Sequence, residues 1–334
     1  MLINRNQPKW CRLQAFDALR SQAVTEARAS FHLQEVEMAM CRFAPVFLST
    51  PLVTVKQALH RPGWRRAMYV SGYVSGAAFL LLAANAHAWQ ARSSDLSGSG
   101  SVPDWSYSGA QGPGYWANLN TAYDRCASGR LQSPIPIETA ATLFQPCTPL
   151  RFRYRSSSLH LVNDGNALRL GYDRGSYLVI DGLSYELVEL RFHVPGEHAI
   201  DGRLSDGEIE LIHGNNRGDI AVVSVPIEAG SRTNQTLRRI LDNAPLVAGK
   251  NAYRRNIGVN ALFLLPARRA YFRYEGSMTR PPCQEGVHRY VMETPLEIAA
   301  SDLARLAQIV GSNARPLQEV GARQVERRCA AVGD

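Results

Sequence analysis

The sequence lacks a Cys-x-x-Cys pair, an internal repeat and any long amphipathic helix. Without a Cys-x-x-Cys pair there is no sequence evidence for a cysteine zinc site. Helical periodicity is confined to residues 233–244 and 301–311, so an all-helical architecture is excluded. The second stretch has Ser301 and Asp302 as candidate N-caps and is followed by Gly311, a common residue type after a helix C-terminus.

An excess of basic residues is missing from most of the chain, although the net charge is +8. Residues 1–88 contain ten of the 37 Lys and Arg residues and four of the 29 Asp and Glu residues, which leaves 27 and 25 for the remainder. Because nucleic-acid binding needs a basic surface on the folded domain, no nucleic-acid partner is predicted. With 334 residues, 45% of them hydrophobic, the chain is long enough for one large globular domain plus additional segments.

One long apolar run is present, within residues 64–88. A basic flank at Arg65 and Arg66, an apolar stretch and small residues before the end predict a secretory signal cleaved after Ala88. A retained membrane anchor is the alternative, and only then is a membrane partner expected. Residues 1–63 are either a genuine cytoplasmic extension or the result of a start placed too far upstream, and residues 89–102 have the composition of a flexible linker.

Four of the six cysteines follow the apolar run: Cys126, Cys147, Cys283 and Cys329. Export would place them in an oxidising compartment, where an even number favours disulfides over metal ligation. The predicted localisation is therefore periplasmic or secreted.

Short runs of alternating apolar and polar residues fill the region that follows the linker. They are separated by Gly, Asn, Asp and Pro turns, and they predict a mainly antiparallel sheet protein with a few short helices. The ten runs are LRFRYRS, LHLVND, ALRLGY, SYLVIDG, YELVELRFHV, GEIELIHG, IAVVSVPIEA, ALFLLP, AYFRYEG and HRYVMET. A folded domain is expected over residues 103–325, with a C-terminal tail at 326–334.

Six local motifs occur in one order along this domain. They are WSYSGAQGPGYW (105–116), CASGRLQSPIPI (126–137), VNDGNALRL (162–170), ELRFHVPGEH with EIELIH (189–213), YEGSMTRPPCQE (274–285) and SNARPLQ (312–318). Together they resemble the alpha-class carbonic anhydrases, bacterial secreted type. The resemblance implies a mainly β fold of the α+β class, with a central, mostly antiparallel, twisted ten-stranded sheet. It also implies a disulfide between Cys126 and Cys283, and Cys147 with Cys329 could form a second one.

The family's activity, carbon dioxide hydration, requires three neutral imidazoles on zinc, which lowers the pKa of a bound water to about 7. The resemblance puts Arg191 at the first ligand position, His193 at the second and Glu210 at the third. A guanidinium has no lone pair to offer a metal and repels cations. We therefore predict an ion pair between Arg191 and Glu210 on adjacent strands. Glu189 and Glu208 are expected to hold Arg191 and His193 in place, with His198 as a further supporting residue. His193 itself is an internal histidine, a metal ligand or a titrating switch.

Other family positions divide into matches and departures. Thr279 matches the threonine that orients the zinc hydroxide, and Glu197 matches the glutamate that accepts its proton. Scaffold positions also match, at His198, Gln132, Asn313 and Arg315. Departures occur in the predicted pocket, where Asn166 replaces a proton-shuttle histidine, Arg280 replaces a small hydroxyl residue, and Arg289 replaces a tryptophan that walls the pocket. The remaining predicted pocket residues are Ile212, Val222 and Met278.

Two functions follow from this resemblance. The first is an exported carbonic-anhydrase-like domain without zinc-dependent activity, which resembles the carbonic-anhydrase-related proteins. This domain would bind an unidentified protein or a small anion and would have no cofactor. The second is a zinc lyase with an altered ligand set such as His193, Glu210 and one recruited histidine, either His198 or His213.

Overall fold

The computed structural model describes residues 104–329 of the chain. The strands in this part are β1 (Pro136–Ile137), β2 (Leu143–Gln145), β3 (Arg151–Arg153), β4 (Ser157–Asn163), β5 (Leu168–Gly171), β6 (Tyr177–Ile180), β7 (Leu183–His193), β8 (Ala199–Ile200), β9 (Arg203–Leu204), β10 (Gly207–Gly214), β11 (Ile220–Gly230), β12 (Lys250–Val259), β13 (Tyr271–Ser277), β14 (Glu285–Met292), β15 (Leu296–Ala299) and β16 (Glu326–Arg328).

The helices are few and short. The α-helices of the described residues are α1 (Trp116–Leu119), α2 (Arg125–Ser128), α3 (Gln235–Asp242) and α4 (Ala300–Val310). Single 3-10 turns span Gly109–Gln111, Pro113–Tyr115, Thr121–Tyr123, Thr139–Ala141 and Ala261–Leu264. Both sequence-predicted helices are confirmed, as α3 and α4.

Ten strands follow one path through the large sheet, in the order β12-β4-β5-β7-β10-β11-β14-β13-β16-β2. Three more strands attach beside it, since β15 pairs with β11 and β6 pairs with β3 and β7. Neighbouring strands are antiparallel except for the pairs β11–β14, β11–β15 and β16–β2. A small second sheet contains β1, β8 and β9. The predicted mainly β, mostly antiparallel architecture is therefore confirmed.

Three details of the structure differ from the predictions. ALFLLP (261–266) was expected to be a strand, but Ala261–Leu264 form a 3-10 turn begun by Asn260, whose side chain accepts the Leu262 amide hydrogen. The edge strand β12 was missed because most of its side chains are exposed, so no apolar alternation marks it. The N-cap of α4 is Ala299 rather than Ser301 or Asp302, and Asp302 instead forms an ion pair with Arg238.

The predicted end of the domain at residue 325 is wrong. Residues 326–328 form β16, which pairs with β13 and β2, and Cys329 is joined to Cys147. A three-residue strand is too short to show alternation, which is why this segment was predicted to be a tail. The second disulfide joins Cys126 to Cys283, so both predicted pairs are confirmed.

The predictions for residues 1–63, 64–88 and 89–102 lie outside the described residues. Within residues 104–329, no helix combines the length and the hydropathy that crossing a membrane requires.

Candidate functional site

The candidate site lies on one face of the adjacent strands β7 and β10. Their antiparallel register places His193 opposite Glu208 and Arg191 opposite Glu210. Because side chains alternate along a strand, the residues between these positions point to the other face. Those residues are Leu190, Phe192, Ile209 and Leu211, and all four belong to the main hydrophobic core. The same two strands therefore carry a buried polar face and a buried apolar face.

Arg191 pairs with Glu189, so the predicted ion pair between Arg191 and Glu210 is wrong. Arg191 Nε donates a hydrogen bond to Glu189 Oε1, and Arg169 Nε donates one to Glu189 Oε2 at 3.0 Å, with Arg169 Nη2 also 2.9 Å from that oxygen. Arg169 on β5 lies directly opposite Arg191, so Glu189 contacts two neighbouring guanidiniums, and Asp164 Oδ2 lies 3.7 Å from Arg169 Nη1. Burial alone would raise the pKa of Glu189, but Arg191 and Arg169 hold it at about 2.

The ion-pair partner of Glu210 is Arg289 on β14. Arg289 Nη2 donates to Glu210 Oε1 at 2.7 Å and to Ser224 Oγ at 3.4 Å. Arg289 is fully buried, and its Nε and Nη1 have no hydrogen-bond partner among the described residues. Although burial opposes ionisation, the Arg289 charge and then His193 lower the pKa of Glu210 well below its ordinary value. Gly276 makes room for this arginine, because a Cβ there would lie 2.9 Å from Arg289 Cγ.

His193 lies between two carboxylates. Its Nδ1 donates to the backbone oxygen of Asn313 at 3.0 Å and lies 3.6 Å from Glu197 Oε1. Its Nε2 lies 3.6 Å from Glu210 Oε2 and has no hydrogen-bond partner among the described residues. Burial lowers the pKa of His193, but the charge of Glu197 and the contact with Glu210 raise it to about 9.

Glu197 does not accept a hydrogen bond from Thr279 in the described chain, contrary to the family pattern. Its Oε1 accepts the Arg315 amide hydrogen at 3.3 Å, and its Oε2 has no hydrogen-bond partner within residues 104–329. The electrostatic attraction between His193 and Glu197 and the hydrogen bond from the Arg315 amide together fix the position of the Glu197 carboxylate. Burial raises the pKa of Glu197 to about 7, partly offset by His193. Ligand atoms of His193, Glu197 and Glu210 all lie within 4.8 Å of one another.

His198 and Glu208 form a second network beside the first. His198 Nδ1 bonds Glu208 Oε1 at 2.8 Å, and Glu208 Oε2 accepts the amide hydrogens of Glu197 and His198. His198 Nε2 lies 2.7 Å from the hydroxyl of Tyr274, which donates to Ser133 Oγ. Burial would raise the pKa of Glu208, but His198 lowers it to about 2. Glu208 thus supports His198, and not His193 as predicted.

His213 is not available as a substitute ligand. Its Nε2 bonds the Tyr154 hydroxyl at 2.6 Å, and its Nδ1 donates to the backbone oxygen of Ala221 at 3.1 Å. Burial lowers the pKa of His213 to about 4. His198 is equally occupied on both nitrogens, so neither histidine offers a free lone pair.

The predicted pocket residues divide into an apolar and a polar set. Ile212, Val222 and Met278 pack together, and Val222 lies beside Arg289 in the register of β11 and β14. The Asn166 amide donates to the backbone oxygen of Trp105 at 2.6 Å, so it is a structural contact. Arg280 is half-buried, with no hydrogen-bond partner for Nε in the part of the chain that is described.

Three site residues were missed from the sequence: Arg169, Ser224 and Tyr107. Tyr107 packs edge-on against Trp105 and Trp116, with ring centroids 5.4 and 5.7 Å apart. Burial and then the charge of Glu197 raise the pKa of its hydroxyl well above the ordinary value, and the charge of Arg191 partly opposes this rise. The aromatic-rich motif that contains Tyr107 was a signal that could have identified it.

Known proteins share this fold and a substantial part of this sequence. Residues 111–329 match the sequence model of the family described as eukaryotic-type carbonic anhydrase. The carbonic anhydrase of Nostoc sp. is 36% identical over 225 residues, covering 66% of this chain and 85% of the relative. Dioscorin dioA3 of Dioscorea japonica is 33% identical over 224 residues, which is 64% of this chain and 81% of that protein.

Solved structures give the same result. The alpha-carbonic anhydrase of Thermovibrio ammonificans, in complex with the inhibitor sulfanilamide, is 33% identical with a TM-score of 0.64, covering 66% of this chain and 98% of that one. The structure of dioscorin complexed with ascorbate is 30% identical with a TM-score of 0.63, covering 69% of this chain and 100% of that one. The fold is thus that of the alpha-carbonic-anhydrase class. The chain belongs to the alpha carbonic anhydrase family, as its six motifs predicted.

Proposed function

We propose that this family member does not hydrate carbon dioxide through zinc and acts instead as an exported binding module. The observation that carries the proposal is the buried pairing of Arg289 with Glu210 at 2.7 Å, beside the pairing of Arg191 with Glu189. Two guanidiniums thereby supply the positive charge that zinc supplies in active family members. A buried ion pair of this kind replaces the charge of a metal but has no Lewis acidity.

The residues at the ligand positions do not fit the zinc that the family implies. Position 191 holds a guanidinium, which has no lone pair to donate. Glu210 Oε1 is already engaged by Arg289, and a zinc ion beside it would add positive charge to a pocket that contains two buried arginines. His193 is then the single imidazole of the three that the family chemistry requires. Its pKa of about 9 also keeps it protonated at neutral pH, so a proton competes with any metal.

The proton-transfer groups support the same proposal. Asn166 cannot titrate, and its amide is held by the Trp105 backbone oxygen. Thr279 is buried but makes no hydrogen bond to Glu197 in the described residues. The pair that orients a zinc hydroxide in the family is therefore not assembled here.

Two disulfides in the domain support export, because such bonds persist in oxidising compartments. The proposed location is periplasmic or extracellular. The signal-like segment at residues 64–88 remains a prediction from the sequence.

Zinc content and carbon dioxide hydration test the proposal directly. The purified full chain, equilibrated with excess zinc and then desalted, is expected to retain much less than one zinc per chain and to lack hydration activity. The triple variant Arg191→His, Glu210→His, Arg289→Trp restores the family residues at these positions, and it is expected to retain one zinc. The matched control is the double variant Arg191→His, Glu210→His. It should fold poorly, because it leaves Arg289 buried and unpaired. One chelator-sensitive zinc per parent chain, with hydration activity, would overturn the proposal.

A zinc lyase with an altered ligand set is the second candidate. His193 Nε2 and Glu197 Oε2 have no hydrogen-bond partners, and Glu210 Oε2 lies near them, so these three residues are the candidate ligands. In that case His193→Ala would abolish zinc retention, whereas His198→Ala, which removes a histidine outside this group, would not.

A further inference from the structure

One segment of the domain is basic and contains no acidic residue. Between Asp242 and Glu275 the sequence has six Lys and Arg residues but no Asp or Glu. Six of the 27 basic residues that follow residue 88 thus lie in this segment, and none of the 25 acidic ones does. The segment therefore concentrates positive charge in a domain whose charges are otherwise balanced.

The loop that leads into β12 exposes two aliphatic side chains. Leu246 is 77% exposed and Val247 is 62% exposed, which places them among the most exposed large apolar side chains of the described residues. The loop backbone is nevertheless fixed, because the Gly249 amide donates to the backbone oxygen of Asn163 at 2.7 Å and the Lys250 amide donates to that of Val247 at 3.2 Å. Little further ordering is needed for a partner to cover these side chains.

Basic and aromatic side chains follow this loop along β12. Lys250, Arg254 and Arg255 are exposed. Tyr253 is 54% exposed, and its ring packs on that of His160 with centroids 4.3 Å apart. Because a strand rises about 3.3 Å per residue, the side chains from position 250 to position 255 lie within about 17 Å along the strand. We call this the β12 surface, and it consists of Leu246, Val247, Lys250, Tyr253, Arg254 and Arg255.

The positive charges of the β12 surface are not compensated within residues 104–329. Lys250, Arg254 and Arg255 form no ion pair with a described carboxylate, whereas other exposed arginines such as Arg203 do. Arg254 Nη1 donates to the backbone oxygen of Tyr253 at 3.1 Å, which leaves its charge unpaired. An anionic partner would therefore complement this surface.

A second copy of the chain does not suit this surface. β12 ends the strand path of the large sheet, so its outer edge is available for pairing. Edge-to-edge pairing of two copies would bring Arg254 and Arg255 of both chains together, and like charges repel. The register with β4 is also interrupted between Arg254 and Gly258, and such an irregularity disfavours edge pairing. Charge and backbone geometry thus favour an anionic surface over another sheet edge.

We propose that the β12 surface binds to the anionic phospholipid surface of a membrane. Leu246 and Val247 enter the boundary between headgroups and acyl chains, and the three basic residues contact lipid phosphates. Apolar and aromatic side chains beside basic ones are typical of proteins that lie on a membrane without spanning it. Strands β4 and β5 separate β12 from the candidate site on β7 and β10. The inference therefore goes beyond the proposed function and is independent of zinc binding.

Co-sedimentation of the purified full chain with lipid vesicles tests the proposal. The anionic vesicles contain equal amounts of phosphatidylglycerol and phosphatidylcholine. Vesicles of phosphatidylcholine alone measure binding that needs no anionic lipid, including any contribution of the apolar run at 64–88. Binding to the anionic vesicles is expected to be tighter, and sodium chloride at about 0.5 M should weaken it by screening. Equal binding to both kinds of vesicle, or binding that salt leaves unchanged, would overturn the proposal.

The basic residues are tested by Arg254→Gln combined with Arg255→Gln. Binding to anionic vesicles should weaken about twentyfold or more, since each basic residue at an anionic surface strengthens binding about fivefold. The matched control is Arg125→Gln combined with Arg203→Gln. It removes the same charge from side chains that are 66% and 81% exposed on α2 and β9, and it should leave binding nearly unchanged.

The apolar residues are tested by Leu246→Ser combined with Val247→Ser. Binding should weaken about tenfold or more, because two aliphatic side chains no longer leave water. The matched control is Leu143→Ser combined with Phe144→Ser, which changes an exposed apolar pair on β2, at the opposite end of the strand path. Circular dichroism checks that all four variants fold. A test pair that binds vesicles as well as its matched control would contradict the assignment to β12.

Two further measurements examine other occupants of the β12 surface. Inorganic phosphate should displace the chain from vesicles no better than sodium chloride does at equal ionic strength. Stronger displacement by phosphate would indicate a site for the free ion and overturn the proposal. Sedimentation equilibrium without lipid should show no self-association that depends on Leu246 and Val247. Self-association that their replacement by serine abolishes would identify an interface between copies, and it would likewise overturn the proposal.

Discussion

Two buried polar networks lie side by side on β7 and β10, and they differ in how their polar atoms are satisfied. The first, the retained network, contains His198, Glu208, Tyr274 and Ser133, and its side-chain polar atoms all have hydrogen-bond partners. The second, the substituted network, contains Arg191, His193, Glu210 and Arg289. It holds three buried nitrogens that lack partners in the described residues, namely His193 Nε2 and Arg289 Nε and Nη1.

The contrast follows the family pattern except at His193, which matches the family's second ligand position although it lies in the substituted network. His198 matches the family, whereas Arg191, Glu210 and Arg289 depart from it. A fully hydrogen-bonded buried network mainly specifies structure, whereas buried atoms without partners are typical of sites that bind something or react. The substituted network depends on charge compensation and the retained network on hydrogen bonds. Removal of one member should therefore have different consequences in each.

The largest effect on stability is expected from Glu210→Gln. This change removes the charge that compensates Arg289, which is fully buried and has no other described carboxylate within ion-pair distance. Breaking one partner of a buried ion pair costs about 3–5 kcal/mol, because the remaining charge is uncompensated. Urea unfolding of parent and variant, followed by circular dichroism, measures the loss.

The double variant Glu210→Leu with Arg289→Met is the control for Glu210→Gln. It removes both charges and should recover most of the lost stability, since apolar residues of similar volume often replace buried ion pairs without cost. A Glu210→Gln protein as stable as the parent would contradict the compensation described for Arg289.

The two networks should differ in their response to alkaline pH, whereas acid should destabilise both, because Glu208 and Glu210 both have lowered pKa values. His193 and Glu197 have pKa values raised to about 9 and about 7, so the folded state binds their protons more tightly than the unfolded chain does. Their contribution is fully present below the unfolded pKa values and is lost as pH rises through the folded ones. Glu208 has its pKa lowered to about 2, so its contribution is present above the unfolded value and is lost as pH falls.

Unfolding free energies measured between about pH 3 and about pH 10 check this assignment. His193→Gln should flatten the decline between neutral and alkaline pH. Glu208→Gln should keep that decline and flatten part of the acid limb, to which Glu189 and Glu210 also contribute. An alkaline decline of the same size in His193→Gln and parent would show that another group is responsible.

Much of the fold could be predicted from the sequence, because alternation is a local signal. Strands with one buried face, such as β4, show it clearly. The edge strand β12 does not, and neither does β16, which has three residues of intermediate exposure. Both disulfide pairs were also predicted, one from the family resemblance and one from the two remaining cysteines.

The members of the site could be predicted, but not their pairing. Period-two spacing places Glu189, Arg191 and His193 on one face, and the structure confirms it. Which cation reaches Glu210 depends on the parallel register of β11 and β14, which brings Arg289 beside Val222. No local pattern encodes that register. Arg169 was missed for the same reason, because it meets Glu189 only across the β5–β7 pairing.

The smallest effect on stability is expected from Tyr274→Phe in the retained network. The Tyr274 hydroxyl links His198 Nε2 to Ser133 Oγ, and it carries no charge that another group needs. Its removal leaves one histidine nitrogen without a partner, whereas Ser133 still accepts the Ser277 amide hydrogen. An unsatisfied neutral group of this kind costs about 1–2 kcal/mol, less than the uncompensated Arg289 charge in Glu210→Gln. Urea unfolding of both variants in the same buffer gives the ratio of their two losses of unfolding free energy directly. A loss in Tyr274→Phe equal to that in Glu210→Gln would mean that hydrogen bonding, and not charge compensation, controls the stability of both networks.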